Sequence, residues 1–398
     1  MTTNTIAIIG AGQAGASAIL ELRHHQYTGK IILIGDEAHL PYERPPLSKD
    51  VILKPDETKV EILSKQKLQE LDVTVILNSK VKKLNREAHS VELESGEHIY
   101  YDKLLIATGA SPRRLPMIDA LGKHVYTLRN LEDAQALIQV LQPNRHVILI
   151  GGGVIGLELA SSARAKGTKV TLIESGSTLM RRCVPNILSD FLLAQHRQAG
   201  VDIRLETQIT HSRLEGERVV VQLNHQEELE ADAIIYGIGV IPNTRLAFDA
   251  GLDIECAIKV NENCQTSDPD IYAAGDVATQ LRENGEYLRV ETWENANLQA
   301  GIFARHVMTI MPPKANPPWF WTDQLNFNIQ CAGDMTAKDW KISEMDDLKN
   351  TSSFIAYGLK DDIVVAGITV NAAKKMRAIK KIITNKQSLA SLTETAKS

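Results

Sequence analysis

The stretches “IAIIGAGQAGASAIL” (residues 6–20) and “VILIGGGVIGLELA” (residues 147–160) decide the fold. Each is an apolar run, then G-x-G-x-x-G, then an amphipathic run. The glycine offsets are the same in both: Gly10, Gly12 and Gly15, then Gly151, Gly153 and Gly156. A period that switches from strand to helix across such a turn predicts β–turn–α. Each copy runs on into a second apolar strand ending in an acid. “KIILIGDE” ends in Asp36 and Glu37, and “KVTLIESG” carries Glu174. Backbone N–H groups at a glycine-rich helix N-terminus favour a pyrophosphate, and an acid roughly 20 residues on can bind a ribose diol. Plain tight turns in a parallel sheet are the bland alternative; two complete copies with acids in phase argue against it.

Two such sites predict two dinucleotides. FAD with a nicotinamide dinucleotide is the natural pair, because hydride must pass to a carrier that can release single electrons. Glu174 would accept hydrogen bonds from the adenosine ribose hydroxyls and repel a 2′-phosphate, which favours NADH over NADPH. Arg181 and Arg182, further along, pull the other way unless they are solvated.

The rest of the chain fits a multidomain enzyme. It has 398 residues, 43% hydrophobic and 23% charged, with a formal net charge of −5. That balance predicts full cores and gives no bulk attraction to nucleic acid. No apolar run approaches the ~20 residues needed to span a bilayer, and the N-terminus enters a strand pattern without a signal-peptide pattern. Cys183, Cys256, Cys264 and Cys331 are scattered, which predicts a reducing cytoplasm and no metal site, disulfide framework or iron–sulfur cluster within the chain. “LLIATGA” and “AIIYGIGV” read as crossings between domains, “MPPKANPP” as a linker, and residues 353–370 as a hairpin in a small α+β domain. The polar last ten or so residues are expected to fray. The expected domains are 1–110 (FAD, first part), 111–234 (NADH), 235–315 (FAD, second part) and 316–398 (C-terminal, covering the flavin).

Taken together, “GAGQAG”, “PYERPPLSK”, “LLIATGA”, “GGGVIGLELA”, “YGIGVIPN”, “SDPDIYAAGDVA”, “ETWENANLQA” and “PPWFWTDQ” resemble the FAD-dependent ferredoxin–NAD(+) reductases of bacterial ring-hydroxylating dioxygenases. Putidaredoxin and rubredoxin reductases are close relatives and the disulfide reductases distant ones. “PYERPPLSK”, “WENAN” and “PPWFW” are most like the branch serving 3-phenylpropionate/cinnamate dioxygenases. The resemblance covers nearly the whole chain. It implies an α/β fold with two Rossmann-like, glutathione-reductase-like dinucleotide domains plus a small α+β C-terminal domain. It also implies electron flow from NADH through FAD to a [2Fe–2S] ferredoxin.

The resemblance further implies roles for matching positions. Asp276 would bind the FAD ribitol, although a turn residue or helix N-cap is the ordinary reading of an acid there. Trp293 would face the flavin pyrimidine through its backbone, with Glu294 beside it. Arg129, Val81 and Lys49 match FAD-contacting positions, and Ala14, Arg44, Thr108, Gly109, Ile155 and Gly239 fall in dinucleotide-contacting motifs. The disulfide reductases carry a cysteine pair after the first βαβ unit, where this chain has “RPPLSK”, read as a stiff loop. Lys49 would place a fixed charge beside the flavin, and an ion pair between Lys49 and Glu158 is expected on its nicotinamide side. Electrons would leave past Trp321, more than Trp319, unless both indoles are core packing. The basic run “KKMRAIKK” supplies Lys374, Lys375, Arg377, Lys380 and Lys381 as a docking surface for an acidic ferredoxin, or as a solvated face. An NADH oxidase or peroxidase would need an N-terminal redox cysteine, yet the first is Cys183. An NADH-sensing interaction protein like the apoptosis-inducing-factor relatives is the non-enzymatic alternative on the same fold.

Overall fold

The computed structural model describes residues 4–282, 284–312, 316–343 and 352–390. Part of “MPPKANPP” and the tail from 391 onward lie outside the described residues. The chain packs into two compact units. One comprises residues 1–43, 59–111 and 240–315; the other comprises 44–58, 112–239 and 316–398.

In the first unit the strands Thr5–Ile9 and Lys30–Ile34 pair in parallel, joined by the helix Gln13–His24. The full sheet runs Ile271–Ala273, Lys103–Ile106, Thr5–Ile9, Lys30–Ile34, Val73–Ile76, with every pair parallel. Its strands are continuous apolar runs because both faces are covered. Ile6, Ile8, Ile31 and Leu33 face one buried cluster; Ala7, Ile9, Ile32 and Ile34 face another. The helix Trp293–Val307 packs beside Gln13–His24, and Asn297 accepts hydrogen bonds from Gln13 and Ser17.

The second unit repeats this plan. Its sheet runs Asp202–Arg204, Lys169–Ile173, His146–Ile150, Ala233–Tyr236, Val125–Tyr126, again all parallel, with the helix Val154–Ala165 after the glycine loop. Each unit also carries a three-stranded antiparallel meander: Val81–Asn85, Ser90–Leu93, His98–Tyr100 in the first, and Ile209–Glu215, Arg218–Leu223, Glu228–Ala231 in the second. The expected doubling of a dinucleotide-binding α/β unit is therefore present strand for strand.

The second unit ends in a five-stranded antiparallel sheet, ordered Trp319–Gln324, Phe327–Gly333, Ile363–Val370, Phe354–Lys360, Asp339–Ser343, with the helix Ala373–Thr384 against it. The expected hairpin is there. Its two-residue turn, Asp361–Asp362, has positive φ at both positions (50° and 63°), the backbone a tight hairpin needs. Among the described residues no helix is long and apolar enough to cross a membrane.

The stiff loop expected at “RPPLSK” is instead helical: a 3-10 turn, Pro45–Ser48, followed by a short α-helix, Asp50–Leu53. Proline tolerates the first helical turn, where its missing N–H is not needed.

The glycine turns are fixed by close contact. Gly10 has φ +116°, and a Cβ there would sit 2.1 Å from the Ala107 carbonyl oxygen. Gly10→Ala is expected to cost more than about 2 kcal/mol, since backbone must move as well as strain. A lowered chemical-denaturation midpoint checks this; an unchanged midpoint would contradict the contact.

Candidate active site

In the first unit, Gly12 caps the helix Gln13–His24 with no side chain bonded to its N-terminal N–H groups. A Cβ on Gly12 would meet nothing within 4 Å, whereas one on Gly15 would strike the Gly10 carbonyl oxygen at 2.1 Å. Gly15 therefore seats the helix on the strand, and Gly12 leaves open space at an uncapped helix end. Ala14 is buried on the first turn. At the end of the next strand Asp36 is exposed, while Glu37 accepts a hydrogen bond from the Tyr42 hydroxyl. Thr108 and Gly109 are tied to Asn243: the Asn243 N–H donates to the Gly109 carbonyl at 3.0 Å, and its side chain to the Thr108 carbonyl at 2.8 Å. Asp276 follows Gly275 (φ +81°), and its carbonyl accepts from Arg289 Nε at 2.8 Å. Trp293 opens its helix behind a Thr292 cap. Val81 starts the meander and packs on the buried cluster below the sheet.

The second unit holds the other half of the expected residues. Gly153 caps the helix Val154–Ala165, again with no side-chain cap and nothing within 4 Å of a Cβ. Gly151 and Gly156 make the same close contacts as their counterparts, 2.5 Å to the Gly237 oxygen and 2.0 Å to the Gly151 oxygen. Ile155 is exposed on the first turn at 39%. Glu174 accepts from the Gly152 N–H at 2.7 Å and the Gly176 N–H at 2.6 Å, which locks its carboxylate beside the glycine loop. Its oxygens retain lone pairs for further donors. Gly239 has φ +106° and accepts from the Arg113 N–H at 2.9 Å. The Arg44 guanidinium donates to the Arg129 carbonyl, and the Arg129 N–H donates to Asp133 at 2.7 Å, in the capped start of the helix Leu131–Val140.

The expected ion pair is present. Lys49 Nζ lies 3.1 Å from Glu158 Oε1, with side chains 14% and 4% exposed. Glu158 accepts two further hydrogen bonds, from the Ser48 hydroxyl and from Thr322 Oγ1 at 2.7 Å. Ser162 Oγ donates to the Ser48 carbonyl at 2.7 Å and holds the 3-10 turn against the helix. Lys49 also lies over the face of Trp321, 5.9 Å from its centroid. Trp321 stacks on Trp319 at 5.1 Å and 20°, and Lys380 covers Trp319 at 4.4 Å.

Ser48 and Thr322 were not picked out by sequence reasoning. For Thr322 a signal existed: in the strand Trp319–Gln324, period two puts the tryptophans on one face and Thr322 with Gln324 on the other.

The uncapped helix ends and open glycines fit two dinucleotides, one to each unit. A family model described as pyridine nucleotide-disulphide oxidoreductase matches residues 4–300, and one described as reductase C-terminal matches 319–395. The chain belongs to the pyridine nucleotide-disulphide oxidoreductase family. Members of this family use FAD and NAD(H), and the residues above fit both. The chain is 43% identical, over 97% of both chains, to the 3-phenylpropionate/cinnamic acid dioxygenase ferredoxin–NAD(+) reductase component of Photorhabdus laumondii. It is also similar to putidaredoxin reductase in its covalent complex with putidaredoxin (TM-score 0.91, 32% identity, 97% of this chain and 94% of that one). The ferredoxin reductase for the CYP199A2 system of Rhodopseudomonas palustris matches as well (TM-score 0.91, 34% identity, 97% and 96%). These bear out the resemblance and the expected fold class.

The open glycines give a paired prediction. Gly12→Ala is expected to purify as folded protein with little bound flavin, because its methyl enters space left for a pyrophosphate. Gly153→Ala is expected to keep its flavin and lose affinity for the nicotinamide dinucleotide by about tenfold or more, the scale of 1.4 kcal/mol. Flavin absorbance per protein and dinucleotide titration read the two; the reverse pattern would exchange the assignments.

Proposed function

We propose that this chain is an FAD-dependent ferredoxin–NAD(+) reductase that draws electrons from NADH and delivers them to a [2Fe–2S] ferredoxin feeding an aromatic-ring-hydroxylating dioxygenase in the cytoplasm. The observation that carries the reading is the turn Pro45–Ser48 and Lys49: it holds a buried lysine–carboxylate pair, and the chain has no cysteine before Cys183. With no cysteine pair in the segment after the first βαβ unit to take an electron pair, electrons leave to an external acceptor in this reading. The near-full-length relationship to a dioxygenase reductase component supports the acceptor class.

FAD belongs to the first unit's glycine loop in this reading, NADH to that of residues 111–234, with residues 316–398 as the cover. Bound FAD supplies a ring that accepts hydride from NADH and gives up electrons singly. Gly10, Gly12, Ala14 and Gly15 receive its pyrophosphate, and Asp36 or Glu37 its ribose. Asp276 takes the ribitol. Val81, Thr108, Gly109, Arg44, Arg129 and Trp293 frame the rest. Gly151, Gly153, Ile155, Gly156 and Gly239 receive the nicotinamide dinucleotide, and the anchored Glu174 its adenosine ribose. Lys49 is the fixed charge that favours an electron-rich ring, and Glu158 orients it. Trp321, with Trp319 stacked behind it, is the exit.

Docking falls on the helix Ala373–Thr384. Lys374, Lys375 and Arg377 are exposed there. Arg377, Lys380 and Lys381 rim an open cavity of about 530 Å³ that is also lined by Trp319, Gln330 and Met376. A cationic rim beside a stacked indole pair suits an acidic ferredoxin.

The direct test is NADH oxidation with [2Fe–2S] ferredoxins beside oxygen alone. Turnover is expected to be much faster with a cognate ferredoxin; equal rates would favour an oxidase. Two further outcomes follow from named residues. Glu174→Ala should raise the KM for NADH and narrow the preference over NADPH; a wild type using both equally would refute the role of Glu174. Ferredoxin reduction should weaken as salt rises and the Debye length falls to ~3 Å at 1 M, with flavin reduction by NADH much less affected. Charge reversal at Lys374, Lys375 and Arg377 should do the same without altering FAD content. Salt-insensitive transfer, with those variants fully active, would put docking elsewhere.

A further inference from the structure

His196 is fully buried in the helix Asn186–Gln198, and its pKa is lowered by that burial. Its Nε2 lies 2.7 Å from Gln324 Oε1. An amide oxygen only accepts, so Nε2 carries a proton, and full burial with no partner for Nδ1 among the described residues holds the ring in the neutral Nε2–H form. Gln324 Nε2 then donates to Thr322 Oγ1 at 3.0 Å, and Thr322 Oγ1 donates to Glu158 Oε1 at 2.7 Å. Thr322 is 0%, Gln324 2% and Glu158 3% exposed. Every proton in this series points the same way, from imidazole to carboxylate, and each member fixes the orientation of the next. The series ends on Oε1, the same oxygen that meets Lys49.

We propose that Thr322, Gln324 and His196 are positioning residues that set the Glu158 carboxylate and, through it, the place of the Lys49 ammonium. Ser48 fixes Oε2 from one side; the relay fixes Oε1 from the other. Lys49 is the only charged side chain bonded to Glu158 among the described residues, so the carboxylate's rotation is what places that charge. The helix Asn186–Gln198 is itself held rigidly against the C-terminal sheet, where Phe191 packs edge-on to Phe327 at 5.1 Å and Phe354 at 5.3 Å. The Leu325 N–H donates to Ser161 Oγ at 2.8 Å, beside the relay.

This rests on the role given above to Lys49 and Glu158, and the experiment separates the two. The holoenzyme variants are Thr322→Val, Thr322→Ser, Gln324→Met, the Val/Met double, Glu158→Gln and Lys49→Met. The readings are stopped-flow flavin reduction by NADH, equilibrium NAD+ affinity, thermal midpoint, and the His196 ring signal in ¹⁵N-histidine NMR, assigned with His196→Gln. Thr322→Val is expected to slow the limiting rate of flavin reduction by about tenfold or more, the scale of a hydrogen bond to a charged group, while NAD+ affinity stays within about threefold. Thr322→Ser should restore the rate. Gln324→Met should slow it too, and the double variant should be no slower than Thr322→Val, since both act through one hydroxyl. The His196 N–H signal should shift in Thr322→Val as well as in Gln324→Met. If Glu158→Gln slows reduction but Thr322→Val does not, or if the losses multiply in the double variant, the relay is overturned. An unmoved His196 signal in Thr322→Val also overturns it, because the chain then ends at Gln324. If neither Lys49→Met nor Glu158→Gln slows reduction, the ion pair's own role fails and takes the relay's purpose with it.

Discussion

A buried carboxylate organises the second unit. Glu158 sits on the first helix after the second glycine loop and accepts from Ser48, Lys49 and Thr322. Those donors come from two other stretches of the chain, residues 44–58 and the C-terminal sheet, so one side chain joins three segments that are far apart in sequence. Desolvating an ion is expensive, and removing one partner of a buried pair typically costs about 3–5 kcal/mol. The three segments are thus bound to a common geometry, because any that shifts leaves the charge short of a partner. The same requirement explains why the prolines of “RPPLSK” form a helical turn: it brings a hydroxyl and an ammonium from adjacent residues to opposite oxygens of one acid.

Most of the fold was legible because its signals are local. Strand period, glycine spacing and a terminal acid recur in phase, and each reports on neighbours within about 30 residues. The Asp361–Asp362 hairpin was legible for the same reason. What sequence reasoning missed is long-range. No local signal in “PYERPPLSK” says that residues 44–58 pack with the unit containing Glu158 rather than with the strands that precede them; only the resemblance pointed Lys49 at Glu158. Ser48 and Thr322 were present in quoted motifs, but the lysine and the tryptophans drew the reading. Strand alternation alone would have grouped Thr322 with Gln324 on the inner face. His196 left no comparable trace, since a lone histidine in an amphipathic helix looks like any other polar position until its partner is known.

The two glycine loops are nearly the same in backbone and different in how the acid is held. Glu174 is clamped by two N–H groups of its own loop region, which orient its carboxylate. In the first copy Asp36 is exposed and Glu37 is steadied by a tyrosine hydroxyl. Under the assignment proposed above, a preset acceptor suits a cofactor that comes and goes at each turnover, since little ordering remains to be done on binding. A cofactor that stays bound places no such demand on its site.

The strand that completes each parallel sheet differs in origin, and this matters during synthesis. In the second unit the outermost partner of Ala233–Tyr236 is Val125–Tyr126, already made when the rest of that sheet emerges. In the first unit the partner of Lys103–Ile106 is Ile271–Ala273, which leaves the ribosome long afterwards. At roughly 5–20 residues per second, the apolar edge of Lys103–Ile106 waits on the order of 10 s for its neighbour. An unpaired edge is a template for the wrong strand. The later sheet can therefore close before the earlier one does, and the strand beside the first dinucleotide loop keeps an open edge in the nascent protein until Ile271–Ala273 is made.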